Sequence, residues 1–78
     1  MAVNELERDY MRMIHMADSI NGIINGIKLT GGDDAEKKEA VEHQYHYLEM
    51  EILDDKYDGK DLTAINAAIT AGRAYVSG

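Results

Sequence analysis

Cysteine and proline are both absent from this sequence of 78 residues. Without cysteine, the chain can form no disulfide bond and lacks the most specific zinc ligand. Without proline, nothing in the sequence prevents long helices. A domain of this size removes only about 60% of its unfolded surface from water, so its core alone gives marginal stability. Small domains of this kind usually need disulfides, a bound metal or further chains. We therefore expect one domain, residues 1–78, that gains stability by associating with further copies of itself.

Long apolar runs and catalytic motifs are missing as well. No stretch approaches the roughly 20 apolar residues of a membrane span, and residues 1–5 do not begin a basic and then hydrophobic leader. We expect a cytoplasmic protein without a membrane partner. Ser19 and Ser77 have no acid or base at catalytic spacing, and no predicted strand precedes a glycine-rich phosphate loop. We expect no enzymatic activity and no cofactor.

Positive charge is scarce and unevenly distributed. Residues 31–61 hold eleven acids and four bases, a net charge of −7 that equals the net charge of the whole chain, whereas residues 62–78 hold only Arg73. Nucleic-acid backbones and anionic lipids require positive charge on the protein that binds them. We therefore expect no direct contact with nucleic acid. The acidity favours solubility or a basic protein partner.

The sequence does contain a regular apolar pattern. Seven apolar residues between positions 6 and 27 are spaced alternately four and three apart, which draws one continuous stripe along a helix. Two later segments repeat this spacing, and the three stripes predict helices over about 5–28, 35–56 and 62–76. The stripes are Leu6, Tyr10, Met13, Ala17, Ile20, Ile24 and Ile27; then Val41, Tyr45, Leu48 and Ile52; then Leu62, Ile65, Ile69, Gly72 and Val76.

Residues that favour helix ends flank these segments. Asn4 is the expected N-cap of the first helix, with Glu7 three residues later as in a capping box. Short connections make neighbouring helices antiparallel. We predict an all-α fold with three antiparallel helices in up-down order: a long helical hairpin followed by a shorter C-terminal helix. The expected caps of the second and third helices are Asp33 or Asp34, and Asp61 or Thr63.

Glycines occur inside the first and third predicted helices. Asn21-Gly22 and Asn25-Gly26 weaken the first helix, because each glycine costs about 1 kcal/mol relative to alanine. The apolar stripe passes through both pairs without a change of phase, so we predict a continuous helix that is frayed or kinked there. In the third helix, Ala64, Ala68 and Gly72 form a ridge of very small residues, which predicts close approach of another backbone.

A difference in helix length predicts the main interaction surface. At 1.5 Å per residue the first two helices reach about 33–36 Å and the third about 22 Å, so the hairpin tip should be only two helices thick. Uncovered apolar residues mark association sites. We predict a non-enzymatic assembly protein in which two tips pair with twofold symmetry as a homodimer, completing a four-helix layer. The predicted self-association residues are Ile20, Ile23, Ile24, Ile27, Leu29 and Val41.

The acidic segment supports a different hypothesis. Its carboxylates would occupy a basic groove on a partner, so that the chain acts as an acidic inhibitor or a mimic of nucleic acid. A solvated helix face explains the same charges without a partner. The residues of this alternative acidic surface are Glu36, Glu39, Glu42, Glu49, Glu51, Asp54, Asp55, Asp58 and Asp61.

A third hypothesis is a metal-binding helical bundle. Glu39 and His43 are four residues apart, His43 and His46 three, and Glu42 and His46 four, so these side chains could project near one another on a helix. A complete site needs ligands from another helix, and His15 is the remaining histidine. Surface histidines paired with nearby glutamates explain the pattern more simply, and we assign no metal ligand.

Residues 54–65 superficially resemble a calcium-binding loop, with Asp58 in fifth and Gly59 in sixth place. Lys56 then occupies the third ligand position and Ile65 the twelfth, where a bidentate glutamate is required. We interpret this segment as an acidic turn.

Overall fold

Three α-helices form most of the protein in the computed structural model, which describes residues 4–26 and 33–78. Helix accounts for 81% of these residues, and no strand occurs among them, so the all-α prediction is confirmed. The elements in chain order are α1 (Glu5–Ile24), α2 (Asp34–Glu51), a short 3-10 helix (Asp55–Tyr57) and α3 (Thr63–Ser77).

Polar side chains cap the first two helices, as the sequence predicts. Oδ1 of Asn4 accepts a hydrogen bond from the backbone N–H of Glu7 at 2.7 Å. Oδ1 of Asp33 accepts one from the N–H of Glu36 at 2.9 Å. Each bond satisfies a backbone donor that has no partner within its own helix. The prediction for the third helix is wrong, because its N-cap is Leu62, which makes no side-chain cap hydrogen bond.

α1 ends earlier than predicted, at the second Asn-Gly pair. Both the backbone N–H and the side-chain amide of Asn25 donate to the carbonyl of Asn21, at 3.0 and 2.8 Å. Gly26 follows with φ +71°, in the left-handed region that favours glycine just beyond a helix end. Gly22 stays inside the helix. The predicted boundary at 28 placed the end of α1 four residues too late.

α2 also ends earlier than predicted, at Glu51 instead of 56, because the chain turns to bury Tyr57. The Tyr57 ring is 1% exposed, and its hydroxyl donates to Oε1 of Glu51 at 3.1 Å. Asp54 supports the turn, since its Oδ1 accepts from the N–H of Lys56 at 3.0 Å. The sequence pattern placed Tyr57 in a turn and did not identify it as a core residue.

The core follows the predicted stripes on all three helices. Three residues towards the ends of the first stripe are partly buried and pack against the core: Leu6, Tyr10 and Ile24. The buried hydrophobic residues are Met13, Ala17, Ile20, Ile23, Val41, Tyr45, Leu48, Tyr57, Ile65, Ala68 and Ile69.

Gly72 is a point of close packing between α3 and the other helices. A Cβ at this position would lie 3.1 Å from Cγ1 of Val41, 3.3 Å from Cδ2 of Tyr45 and 3.4 Å from Cγ2 of Ile20. Ala68 is fully buried on the same side of α3, whereas Ala64 is exposed. The predicted close approach therefore occurs at the C-terminal end of the ridge.

Candidate protein-binding surface

The predicted hairpin-tip surface is largely enclosed within a single chain. Ile20 and Val41 are 0% exposed and Ile23 is 5% exposed, while Ile24 is partly buried. Ile27 and Leu29 lie outside the described residues. The prediction that Ile20, Ile23 and Val41 are uncovered is therefore wrong.

The physical reason is that the helices differ less in length than predicted. α1, α2 and α3 contain 20, 18 and 15 residues. Gly72 then brings α3 against Ile20 and Val41, because it has no side chain to hold the helices apart. Pairing of two chains through this end stays a prediction, without support from Ile20, Ile23 and Val41, which are buried.

The nine acidic residues of the alternative surface divide into two groups. Four are engaged within the chain: Glu49 pairs with Arg73, Glu51 accepts from Tyr57, and Asp54 and Asp61 accept backbone N–H groups of the turns that follow α2. Hydrogen bonds from the side chain and the backbone N–H of Thr63 lower the pKa of Asp61 below its usual value. The other five, like Asp54 and Asp61, are exposed, and Glu39 among them lies 3.9 Å from His43: Glu36, Glu39, Glu42, Asp55 and Asp58.

Two large apolar side chains are exposed at the end of α2. Met50 is 71% and Leu53 is 74% exposed. The N–H of Leu53 donates to the carbonyl of Met50 at 3.3 Å, so a turn keeps the two residues adjacent. Met50 continues an outward row of α2 in which Glu39, His43 and His46 precede it at helical spacing. The exposed residues Glu36, Glu39, Glu42, His43, His46, Met50 and Leu53 are here called the acidic face.

Ion pairs and hydrogen bonds fix the segment that carries Leu53. Nζ of Lys56 lies 3.0 Å from Oδ2 of Asp9, and this hydrogen bond raises the pKa of Lys56 to about 12 and lowers that of Asp9. Lys60 pairs with Glu7. The hydroxyl of Tyr10 donates to the backbone carbonyl of Asp61 at 2.8 Å. The segment that directly follows Leu53 is therefore held against α1.

The candidate metal ligands come together only as a local pair. Nε2 of His43 lies 3.9 Å from Oε1 of Glu39, and both side chains are more than 70% exposed. The His46 ring lies against Tyr45, with ring centroids 4.7 Å apart. No group of three histidines and carboxylates able to hold a metal ion occurs in residues 4–26 and 33–78.

α1 carries an exposed basic surface that the sequence analysis missed. Arg8, Met11, Arg12 and His15, here called the basic face, line an open concavity of about 500 Å³. All four are exposed, with Met11 at 46%. Met11, Arg12 and His15 follow Arg8 by three, four and seven residues, and this spacing places all four on one side of a helix. The sequence therefore contained a signal for this face.

None of the described helices is long and apolar enough to cross a membrane. Comparison of the chain with protein-family models, with curated proteins and with solved structures finds no significant match.

Proposed function

We propose that this chain is a non-enzymatic protein-binding module whose acidic face contacts a partner that is basic and partly apolar. The observation that carries the proposal is the exposure of Met50 and Leu53, at 71% and 74%, on an end of the molecule that is otherwise tightly braced. Fully burying a side chain of this size contributes roughly 1.5–3 kcal/mol. Scattered exposed apolar residues are common, whereas an exposed apolar patch rimmed by polar residues marks an interaction site.

The charge along α2 and directly after Leu53 supports a basic partner. Glu36, Glu39 and Glu42 lie along the acidic face, and Asp54 and Asp55 directly follow Leu53. Complementary charge steers a partner towards a surface, while buried apolar contacts hold it there. Mimicry of nucleic acid is less favoured than contact with an apolar and basic protein surface, because four of the nine candidate carboxylates already serve contacts within the chain.

We infer further that the three helices alternate in direction. The contact between Tyr10 and Asp61, two residues before α3, supports adjacent starts of α1 and α3. The proximity of Gly72 to Ile20 and Val41 supports an end of α3 near the end of α1 and the start of α2. In this arrangement the acidic face points away from the core along the whole of α2.

The test compares proteins retained by three immobilised variants from a lysate of the organism that encodes the chain. All three also carry Arg8→Glu/Arg12→Glu, so that retention reports the acidic face alone. On that background the wild-type acidic face and a Met11→Ser control are expected to retain a partner that Met50→Ser/Leu53→Ser loses. All three positions are exposed, so circular dichroism should show the same helix content for each variant. Retention by the wild-type acidic face should also weaken at about 0.5 M salt, since screening reduces charge attraction. Equal retention by the double variant would contradict the proposal.

A further inference from the structure

The acidic face and the basic face carry opposite charge on two different helices of the same chain. Within the described residues, the cations near the C-terminal end of α2 are already engaged: Lys56 with Asp9, Lys60 with Glu7 and Arg73 with Glu49.

Arg8 and Arg12 are exposed on the basic face. Arg12 lies 3.8 Å from Asp9, but that carboxylate makes its shorter contact, 3.0 Å, with Lys56. The guanidinium groups of the basic face are therefore accessible to carboxylates from outside the chain. Guanidinium groups bind carboxylates in a planar, two-pronged geometry that lysine does not reproduce.

Both faces also have an apolar centre. Met11, 46% exposed, lies between Arg8 and Arg12 in sequence and lines the concavity of about 500 Å³. Met50 and Leu53 project from the acidic face. Methionine side chains are flexible and adapt to irregular apolar surfaces. The two faces are thus opposite in charge, and each also exposes apolar side chains.

We propose that the partner of the acidic face is a second copy of this chain, docked through its basic face. This inference rests on the proposed function and specifies its partner. The two faces are different surfaces, so the contact is heterologous: every added copy leaves one face of each kind free, and association continues until a ring closes.

The contact is small, and its strength must be correspondingly modest. Arg8 to His15 spans about 10 Å along α1, and Glu39 to Met50 about 16 Å along α2. Surfaces of this extent lie at the low end of specific protein interfaces, where complexes are weak and transient. We therefore expect association that is visible only at high protein concentration and low salt.

Sedimentation velocity on the whole chain tests this inference through an exchange of charge. At about 1 mM protein and about 20 mM salt the wild type should exceed the mass of one chain, and at about 0.5 M salt it should return to that mass. Arg8→Glu/Arg12→Glu and Glu39→Lys/Glu42→Lys should each remain single chains, because both faces then have like charge. An equimolar mixture should associate again, since each variant supplies the face that complements the other.

Three results would overturn the inference: a wild type that stays a single chain at low salt, variants that associate as the wild type does, or a mixture that gains no mass. Association that survives or strengthens in high salt would instead indicate apolar pairing, such as that of hairpin tips. The proposed function is tested separately. If the wild type remains a single chain while Met50→Ser/Leu53→Ser still loses a partner from the lysate, only the assignment of that partner to a second copy fails.

Discussion

Replacing Gly72 with alanine tests how closely α3 packs against the other two helices. In an unrestrained helix interior this change stabilises a protein by about 0.8–1 kcal/mol, because alanine is the better helix former. At position 72, the new Cβ would lie 3.1 Å from Val41 and 3.3 Å from Tyr45. Both neighbours are buried, and overpacking of this kind costs about 1–3 kcal/mol. We therefore expect Gly72→Ala to lower the free energy of unfolding by about 0–2 kcal/mol.

A double-mutant cycle separates the steric effect from helix propensity. Val41→Ala removes Cγ1, the atom nearest to the new Cβ. In that background Gly72→Ala should become less destabilising, or stabilising, by about 1–3 kcal/mol relative to its effect in the wild type. Ala67→Gly, at an exposed position of α3, is the matched control for propensity and should cost about 1 kcal/mol. Urea unfolding followed by circular dichroism measures all four variants.

The reasoning is refuted if Gly72→Ala stabilises the chain by the full propensity difference and shows no coupling to Val41→Ala. That result would mean that α3 does not approach the other helices as closely as the structure describes. The enclosure of Ile20 by α3 would then lose its explanation as well.

Three further predictions concern the capped and braced ends of the helices. Asp33→Ala removes the 2.9 Å cap of α2 and should lower the free energy of unfolding by about 1 kcal/mol, measured in urea. Burial, and then the hydrogen bond to Glu51, raises the pKa of Tyr57, so its contribution to stability is complete below about pH 10 and is lost as pH rises through the raised value. Tyr57→Phe should therefore lose less stability than the wild type across that range in thermal melts. The pKa of Asp9 is lowered by Lys56, so its contribution is present above about pH 4 and disappears as pH falls through the lowered value. Asp9→Asn should be less stable than the wild type at neutral pH, and melts in acid should show the difference shrinking.

Local signals in the sequence were sufficient to predict the helices. Alternating spacings of three and four residues identify a helix and its buried side, and Met13, Ala17 and Ile20 lie in the core as this pattern requires. Cap residues act through backbone groups two or three positions away, so Asn4 and Asp33 were also predictable.

Long-range contacts decided what the sequence pattern missed. Tyr57 follows a run of acids and lysine that is typical of an exposed turn, yet its ring is buried because the chain after α2 folds back over α1. This fold-back shortens α2. The error in helix length then produced the error at the hairpin tip, since an uncovered surface was inferred from a mismatch that is much smaller in the structure.

The candidate surface was predictable only in part. The acidic residues of α2 were visible as charge, but the sequence could not separate Glu49, which pairs with Arg73, from Glu42, which is exposed. That distinction depends on which helix lies alongside. The exposure of Met50 had a local signal, because it falls outside the apolar stripe of α2. Leu53 had the opposite signal: the spacing predicts that it widens that stripe, but α2 ends at Glu51 and Leu53 is exposed.

Stability and binding should be separable at the end of α2. Met50 and Leu53 keep over 70% of their surface exposed, so they contribute little to the core of a domain whose stability is already marginal. Replacing them with serine should leave the unfolding midpoint nearly unchanged, since exposed substitutions usually alter stability by less than about 0.5 kcal/mol. Tyr57, a few residues later, contributes to stability instead, because it is buried and anchors the turn. A variant that loses its partner while keeping its stability therefore identifies a binding residue, whereas one that loses both identifies a residue that only supports the surface.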